Sequence, residues 1–292
     1  MSGAGPWPVA LRGGTARVGL ALAALPLLAA LLAPVLASGD PAALGGATER
    51  LQPPCRTHPL GTDPLGRDVL ARLLHGARVS LLVGLVGVVV AVGCGTLVGL
   101  IAGLAPAAVD RTLMAVTDVA LAFPRVFLIL LLVSLTAPSL GLVVVVLGLT
   151  GWMGVARLVR AEALSLRERD FVAAARGLGL TGAQVAWRHV LPNVLPTIIV
   201  AAALRVGSTI LLETFLGFLG LGAPEPAVSW GAMIEQGRAH LRDGWWLTAF
   251  PGLAITATVV GWNLLGDGLR EALDPRAATG GGELERAESA RG

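Results

Sequence analysis

The chain has 292 residues, of which 54% are hydrophobic and 14% are charged, and its mean hydropathy is +0.75. A soluble domain of this length carries more charge and less apolar surface, so the composition favours a membrane protein. A pI near 10.0 would suggest nucleic-acid binding in a soluble protein. Here the arginines are spread over segments between apolar runs, which is typical of membrane topology and excludes a nucleic-acid-binding face.

The sequence contains no lysine, so all 22 basic residues are arginine. The phosphate-binding loop GxxxxGK[ST] requires a lysine, and the chain therefore lacks an ordinary one. We expect it to bind no cofactor, and any ATP that it uses must be bound by partner subunits.

The first apolar run, 18–37, follows a short tail at residues 1–17. A helix needs about 20 apolar residues to cross the membrane, whereas the apolar core of a signal peptide usually has about 7–15. We therefore favour a retained first span over a cleaved signal. The second run, 81–104, follows a stretch from Asp68 to His75 whose apolar residues share one helical face, which predicts a helix lying in the membrane interface.

Four further runs complete a predicted all-α, polytopic membrane protein with six transmembrane helices. They cover residues 113–135, 140–159, 194–221 and 247–265. With the N-terminus inside the cell, the inner segments hold about 13 arginines and the outer segments about 7, which satisfies the positive-inside rule and makes both termini cytoplasmic. We predict a single transmembrane domain, 18–276, and a disordered cytoplasmic tail at 277–292.

Residues 160–193, which we call the 160–193 segment, separate the fourth and fifth spans. Asp170 is a favourable N-cap for a short helix that begins with Phe171 and stops near Gly177 and Gly179. Thr181 and Gln184 form a predicted capping box for a second short helix, which carries Trp187 and which we expect Pro192 to end.

Helices as short as these are marginal alone and must pack on something. On physical grounds two interpretations are equally good: the segment folds back on the spans of its own chain, or part of it inserts into a groove on a partner protein.

The spacing of the segment resembles the EAA loop of ABC-importer permeases. That pattern is EAA, three residues, Gly, nine residues, a hydrophobic position, any residue and Leu-Pro. The matching positions here are Ala173, Ala174, Ala175, Gly179, His189, Leu191 and Pro192. Ala173 replaces the usual glutamate, and His189 occupies the hydrophobic position, as in the peptide-importer branch. The resemblance implies that the segment, from Asp170 onward, docks an ATPase through shape, through apolar anchors such as Phe171 and Trp187, and through Arg176.

Other motifs extend the resemblance over most of the chain. They include GTDPLGRD at residues 61–68, DVALAFP at 118–124, ETFLGFLGLG at 213–222 and GDGLREALDPR at 266–276. They are similar to one of the two permeases of dipeptide, oligopeptide and nickel importers. The resemblance implies a multi-pass protein of the bacterial inner membrane that imports peptides or nickel. Its partners would be a second homologous permease, two ATP-binding-cassette subunits, an extracytoplasmic substrate-binding protein and membrane lipid.

Glu213 lies within the predicted fifth span, where an ionised side chain is costly unless it is paired or hydrated. We expect it to face the bundle interior, in a structural role or in contact with substrate. Arg205, eight residues earlier, is about 12 Å away along the helix and too distant to pair with it directly. In the first outer segment, Asp63, Arg67, Asp68 and Arg72 suggest ion pairs within the chain, with contact to a substrate-binding protein as the alternative.

The rival interpretations are an ion-coupled secondary transporter and an intramembrane enzyme. A secondary transporter would ordinarily carry several ionisable residues in its spans, and here only Glu213, Asp118 and Arg205 are candidates. Neither GxSxG nor HExxH occurs, and the histidines are scattered. We therefore expect a transport component that is not an enzyme.

Overall fold

The protein consists mainly of helices in the part of the chain that its computed structural model describes, which is residues 14–37, 40–135, 137 and 139–273. The helices are α1 (Gly14–Leu36), α2 (Val69–Leu104), α3 (Ala107–Ala122), α4 (Arg125–Ser134), α5 (Leu140–Leu149), α6 (Trp152–Arg167), α7 (Asp170–Gly177), α8 (Gly182–Val185), α9 (Leu191–Phe218), α10 (Trp230–Gly237) and α11 (Trp246–Leu273). The predicted tail at 277–292 lies outside the described residues.

Among the described residues, five helices are long and apolar enough to cross a membrane. There are six if α3 and α4 form one bent span. α5 and α6 together form one of the five. The prediction of an all-α protein with multiple spans is therefore confirmed. α1 begins at Gly14, inside the predicted tail.

The prediction of a separate interfacial helix before the second span is wrong. α2 runs without a break from Val69 to Leu104, a length of 36 residues or about 54 Å. Asp68 caps its first turn by accepting a hydrogen bond from the Ala71 amide. Because nothing between residues 75 and 81 breaks a helix, the amphipathic stretch forms the first turns of the span and extends it beyond the hydrocarbon thickness of about 30 Å.

The third and fourth spans are both interrupted. α3 and α4 meet at an angle of 84°, and Pro124 is the N-cap residue of α4. Proline lacks the amide hydrogen needed to continue the α3 ladder, which explains the break. α5 and α6 are separated only at Thr150 and Gly151.

α2 and α6 approach closely along a row of glycines on α2. A Cβ atom added at Gly99 would lie 2.6 Å from the Ala156 carbonyl oxygen, and one added at Gly95 would lie 2.6 Å from the Trp152 carbonyl oxygen. Gly103 faces the Ala163 side chain in the same way. Small residues let spanning helices pack backbone against backbone, so this row positions α6.

Two indole groups hold the outer part of the bundle together: that of Trp246 binds the outer segment between α1 and α2, and that of Trp230 binds the first turns of α2. Trp246 Nε1 donates to the Thr62 carbonyl oxygen at 3.0 Å, and Trp230 Nε1 donates to the Leu73 carbonyl oxygen at 3.0 Å. Both rings belong to the largest apolar cluster, which also contains Val69 and Ile210. The segment is therefore a packed part of the domain.

The glycine row gives a prediction with a matched control on the same helix. Gly99→Ala should lower the free energy of unfolding by about 1–3 kcal/mol, because the new methyl group would overlap the α6 backbone. Gly93→Ala adds the same methyl group where no atom lies within 4 Å, and should be neutral or slightly stabilising. Thermal unfolding of both variants in detergent measures the difference, and equal melting temperatures would contradict the proposed packing.

Candidate functional site

The 160–193 segment has one face that packs on its own chain. Val172 and Ala175 of α7 are buried, as are Val185 of α8 and Val190. They form an apolar cluster with Val159 and other residues of α2, α6 and α9. The interpretation that the segment folds back on its own spans therefore holds for these residues, and Ala175 lies on this inward face.

The opposite face of the segment is exposed and partly apolar. Trp187 is 65% exposed and Phe171 is 42% exposed. The Phe171 ring lies 6.4 Å from the half-buried His189 ring, measured between centroids. Leu191 is half-buried, and the remaining predicted site residues are exposed: Asp170, Ala173, Ala174, Arg176, Gly179 and Pro192. The structure thus leaves most of the predicted docking residues exposed, while Ala175 is buried.

Of the two capping interactions predicted for the segment, the structure contains one. Thr181 and Gln184 form the predicted capping box, with the Thr181 amide donating to Gln184 Oε1 at 2.8 Å. Gly179 has a φ of +85°, which residues with a Cβ rarely adopt. The prediction for Asp170 is wrong: Arg169 is the N-cap residue and Asp170 is the first helical residue. A carboxylate in the first turn still interacts favourably with the helix dipole.

The prediction that Pro192 ends the second helix is also wrong. α8 continues through a π-helical turn, Ala186–Val190, directly into α9. In this turn the Leu191 amide donates to the Ala186 carbonyl oxygen, five residues earlier. Pro192 occupies the first turn of α9, where proline is tolerated. The segment is therefore joined to the fifth span by continuous helix.

The predicted ion pairs of the outer segment are present, but they are buried. Arg67 Nε lies 2.6 Å from Asp63 Oδ2 and Arg72 Nε lies 3.6 Å from the same oxygen. Both guanidinium groups also donate to Gln236 Oε1 of α10. Asp63, Arg67 and Arg72 are 3%, 8% and 3% exposed, respectively. The cluster therefore links the outer segment to α10.

His58 and Asp68 make a second link in this outer region. His58 Nδ1 lies 2.8 Å from Asp68 Oδ2, and Asp68 is also the N-cap of α2. One carboxylate thus holds both the outer segment and the start of a span.

Among the described residues, no group of three or more His, Cys, Asp or Glu side chains is arranged to hold a metal ion.

Glu213 faces the interior of the bundle, as predicted, and is 1% exposed. Its carboxyl group interacts with the hydroxyl groups of Ser80 on α2 and Ser229 beside α10. Its Oε2 atom has no hydrogen-bond partner among the described residues. These contacts join three helices and support the structural role over direct contact with substrate.

The sequence prediction overlooked Arg125, which lies inside the predicted third span and begins α4. Its Nη2 donates to the Leu147 carbonyl oxygen at 3.3 Å. The signal was present as an arginine directly after a proline within an apolar run. Asp118, the acidic candidate in the same span, forms an ion pair with Arg157.

The outer cluster gives a prediction that separates buried from exposed carboxylates. Asp63→Asn removes the buried counter-charge of Arg67 and Arg72, leaving the exposed Glu225 as the nearest carboxylate to Arg67, and should lower the free energy of unfolding by about 3–5 kcal/mol. Glu225→Gln removes an exposed carboxylate 3.8 Å from Arg67 and should change it by less than about 0.5 kcal/mol. Chemical unfolding in detergent, followed by tryptophan fluorescence, measures both. A similar loss in the two variants would contradict the assignment.

Comparisons with known proteins agree with this architecture. Residues 95–279 match a family described as "Binding-protein-dependent transport system inner membrane component". The chain is 39% identical over 259 residues to the dipeptide transport system permease protein of Alkalihalophilus pseudofirmus, covering 89% of this chain and 85% of that one. It is 40% identical over 253 residues to a probable D,D-dipeptide transport system permease protein of Escherichia coli K12, covering 87% and 85% of the two chains.

A third relative is the oligopeptide transport system permease protein of Haemophilus influenzae. It is 42% identical over 219 residues, covering 75% of this chain and 70% of that one. The matches confirm the predicted family and a function in membrane transport, not in enzyme catalysis. The chain belongs to the binding-protein-dependent transport system inner membrane components, the permeases of ABC importers.

Proposed function

We propose that this chain forms half of the transmembrane pathway of an ATP-driven importer and that its 160–193 segment docks a separate ATPase. The observation that carries the docking proposal is the division of the segment into two faces. Val172 and Val185 pack on the spans, whereas Phe171 and Trp187 remain exposed. Large apolar side chains that stay exposed on a segment outside the spans are typical of a protein-binding surface.

The exposed face suits insertion into a groove. Phe171 and Trp187 are large anchors, and aromatic residues dominate the binding energy of many interfaces. Ala173 and Ala174 lie exposed on the same short helix as Phe171 and let a partner surface approach closely. With alanine in place of the usual glutamate at position 173, the only charges that α7 itself presents here are Asp170 and Arg176.

The connection to the spans suits mechanical coupling. The segment is continuous with α9 through the π-helical turn, and its inward face packs against α6. A partner that moves the segment would therefore move α6 and α9 with it. Rocking these helices would switch the pathway between inward and outward openings, while ATP is bound and hydrolysed on the other subunits.

The remaining partners and the cargo follow from the family and the relatives. We propose pairing with a second, similar permease, two ATPase subunits and an extracytoplasmic substrate-binding protein that meets the outer segment, within the inner membrane of a bacterium. The cargo is proposed to be a peptide, because relatives that are about 40% identical are named for dipeptides and oligopeptides. Nickel is the second candidate, which rests on the sequence motifs alone.

The docking proposal predicts the effect of changes confined to the exposed face. Ala174→Arg and Trp187→Ala should each reduce co-purification of the ATPase by about tenfold or more, as expected for an interface hot spot. Ala107→Arg is the control, because it adds the same charge at an exposed position on α3, outside the segment. Undiminished ATPase in both test variants, at equal permease yield, would contradict docking through this face.

The proposed orientation places Trp187 inside the cell and Cys55 outside it. Cys55 is exposed and Cys94 lies half-buried in α2. In spheroplasts, a membrane-impermeant maleimide should label Cys55 of the unchanged chain. With both native cysteines replaced by serine, Trp187→Cys should be labelled only after the membrane is permeabilised. Labelling of that cysteine in intact spheroplasts would reverse the topology.

A further inference from the structure

Two arginines lie at interior positions of the predicted third and fifth spans without acidic partners, in contrast to two paired arginines on α6. Arg157 and Arg160 on α6 pair with Asp118 and Asp110 of α3, with Arg160 Nη2 at 2.7 Å from Asp110 Oδ2. Arg125 and Arg205 form no ion pair within the described part of the chain. Charged residues within membrane spans are rare, and they commonly mark the path of an ion or substrate.

The two unpaired guanidinium groups converge on one short stretch of backbone. A Cβ atom added at Gly151 would lie 3.2 Å from Arg125 Nη2, and one added at Gly154 would lie 2.7 Å from Arg205 Nη2. Positions three apart on a helix are neighbours, with Cβ atoms about 5–6 Å apart. The charges of Arg125 and Arg205 are therefore close enough to repel each other.

The existing contacts of these arginines leave donors unused. Arg125 donates one hydrogen bond, to the Leu147 carbonyl oxygen, and its buried Nε has no partner among the described residues. The Arg205 side chain makes no hydrogen bond to another described residue, although its backbone carbonyl oxygen accepts one from Ser208 Oγ. A guanidinium group has five N–H donors, so most donors of the pair are available. Both side chains are only partly buried, which leaves the pair accessible.

The pair lies deep in the proposed membrane domain. Arg205 is 14 residues from Leu191, the first residue of the 28-residue helix α9, and so lies about 21 Å along it, near its centre. Arg125 lies at the break between α3 and α4, and Gly151 lies at the break between α5 and α6. Glu213 does not neutralise the pair, because it is held at Ser80 and Ser229.

We infer that Arg125 and Arg205 form a binding site for a carboxylate of the transported solute, next to Gly151 and Gly154. One carboxylate has two oxygens, each able to accept from a guanidinium group, and a planar guanidinium fork matches its geometry. Binding would relieve the repulsion between the two positive charges. The glycines supply the space, because a side chain at either position would displace the arginine opposite it.

The identity of the carboxylate rests on the proposed function. A peptide presents a terminal carboxylate whatever its side chains, so a site for that group would serve cargoes of varied sequence. Nickel as a bare cation would be repelled by the same two charges. The proposal thus favours an anionic end group on the cargo and assigns its position in the pathway.

Transport by the complete importer gives the first test, with labelled trialanine and trialanine amide as probes in proteoliposomes. Arg125→Gln and Arg205→Gln should each lower trialanine uptake by about tenfold or more, the change expected for loss of a charged hydrogen bond, while leaving uptake of the amide unchanged. Arg205→Lys should retain part of the trialanine uptake because it keeps the charge. Arg111→Gln, which removes an exposed arginine that donates a hydrogen bond to the Ala107 carbonyl oxygen of its own helix, should have no effect. Equal losses for both probes would overturn the proposal.

A second measurement examines the site without transport. In the purified importer, phenylglyoxal should modify Arg125 and Arg205, and acetate at constant ionic strength should slow modification of these two residues but not of Arg111, as resolved by mass spectrometry. Failure of acetate to protect either residue would overturn the carboxylate site. If acetate protects both but the unchanged importer moves neither peptide probe, the site stands and the proposed peptide cargo fails.

Discussion

The contact between α2 and α6 positions both the bundle and the 160–193 segment that follows α6. Lipid supplies no hydrophobic force between spans, so their association depends on close packing and on polar contacts. Gly95, Gly99 and Gly103 bring the α2 backbone against α6. Because α6 leads into the 160–193 segment, and Val172 of that segment joins the cluster that contains Val159, a contact inside the bundle fixes where the exposed aromatic side chains project.

Charge is distributed over the bundle in three different ways. At the outer side, Asp63 serves two arginines and Gln236 completes their hydrogen bonds, so the charges act as buried connectors between segments. Between α3 and α6, Asp110 and Arg160 form a conventional pair that fastens one half of the bent span. Arg125 and Arg205 belong to neither class. An ion-coupled secondary transporter would need titratable acids within its spans, and here Asp118 is paired with Arg157 while Glu213 is held between helices.

The sequence predicted the fold class because long apolar runs in lipid must become helices, whose backbone groups are satisfied within the segment. It did not predict where those helices begin and bend. The stretch after Asp68 and the following span are both helix-favouring, and because nothing between them breaks a helix they fuse into the single element α2. Pro124 indicated a break, but its angle of 84° depends on the neighbouring helices.

The candidate site was likewise predictable from the sequence only in part. The spacing from Ala173 to Pro192 identified the segment, and Thr181 with Gln184 was recognisable because a capping box is a local interaction. The faces of α7 were not predictable, because an eight-residue helix does not reveal which side packs. Asp170 is favourable both as the N-cap residue and as a residue of the first turn. Its position in the first turn follows from the extended backbone of Arg169, which is the N-cap residue. Arg125 and Arg205 are 80 positions apart in the printed sequence, so only the folded chain reveals that they are neighbours.

The bend between α3 and α4 has a consequence for how the protein exists in the cell. Helix ends leave backbone groups unsatisfied, and acyl chains cannot satisfy them. Phe123 and Phe127 flank this elbow and are largely exposed in the single chain. A chain without its partner subunit would expose the break between α3 and α4, with its unsatisfied backbone groups, to lipid. Membrane proteases would then remove it readily. The abundance of the chain should then follow the supply of whichever subunit covers the elbow, so that assembly limits how much of it accumulates.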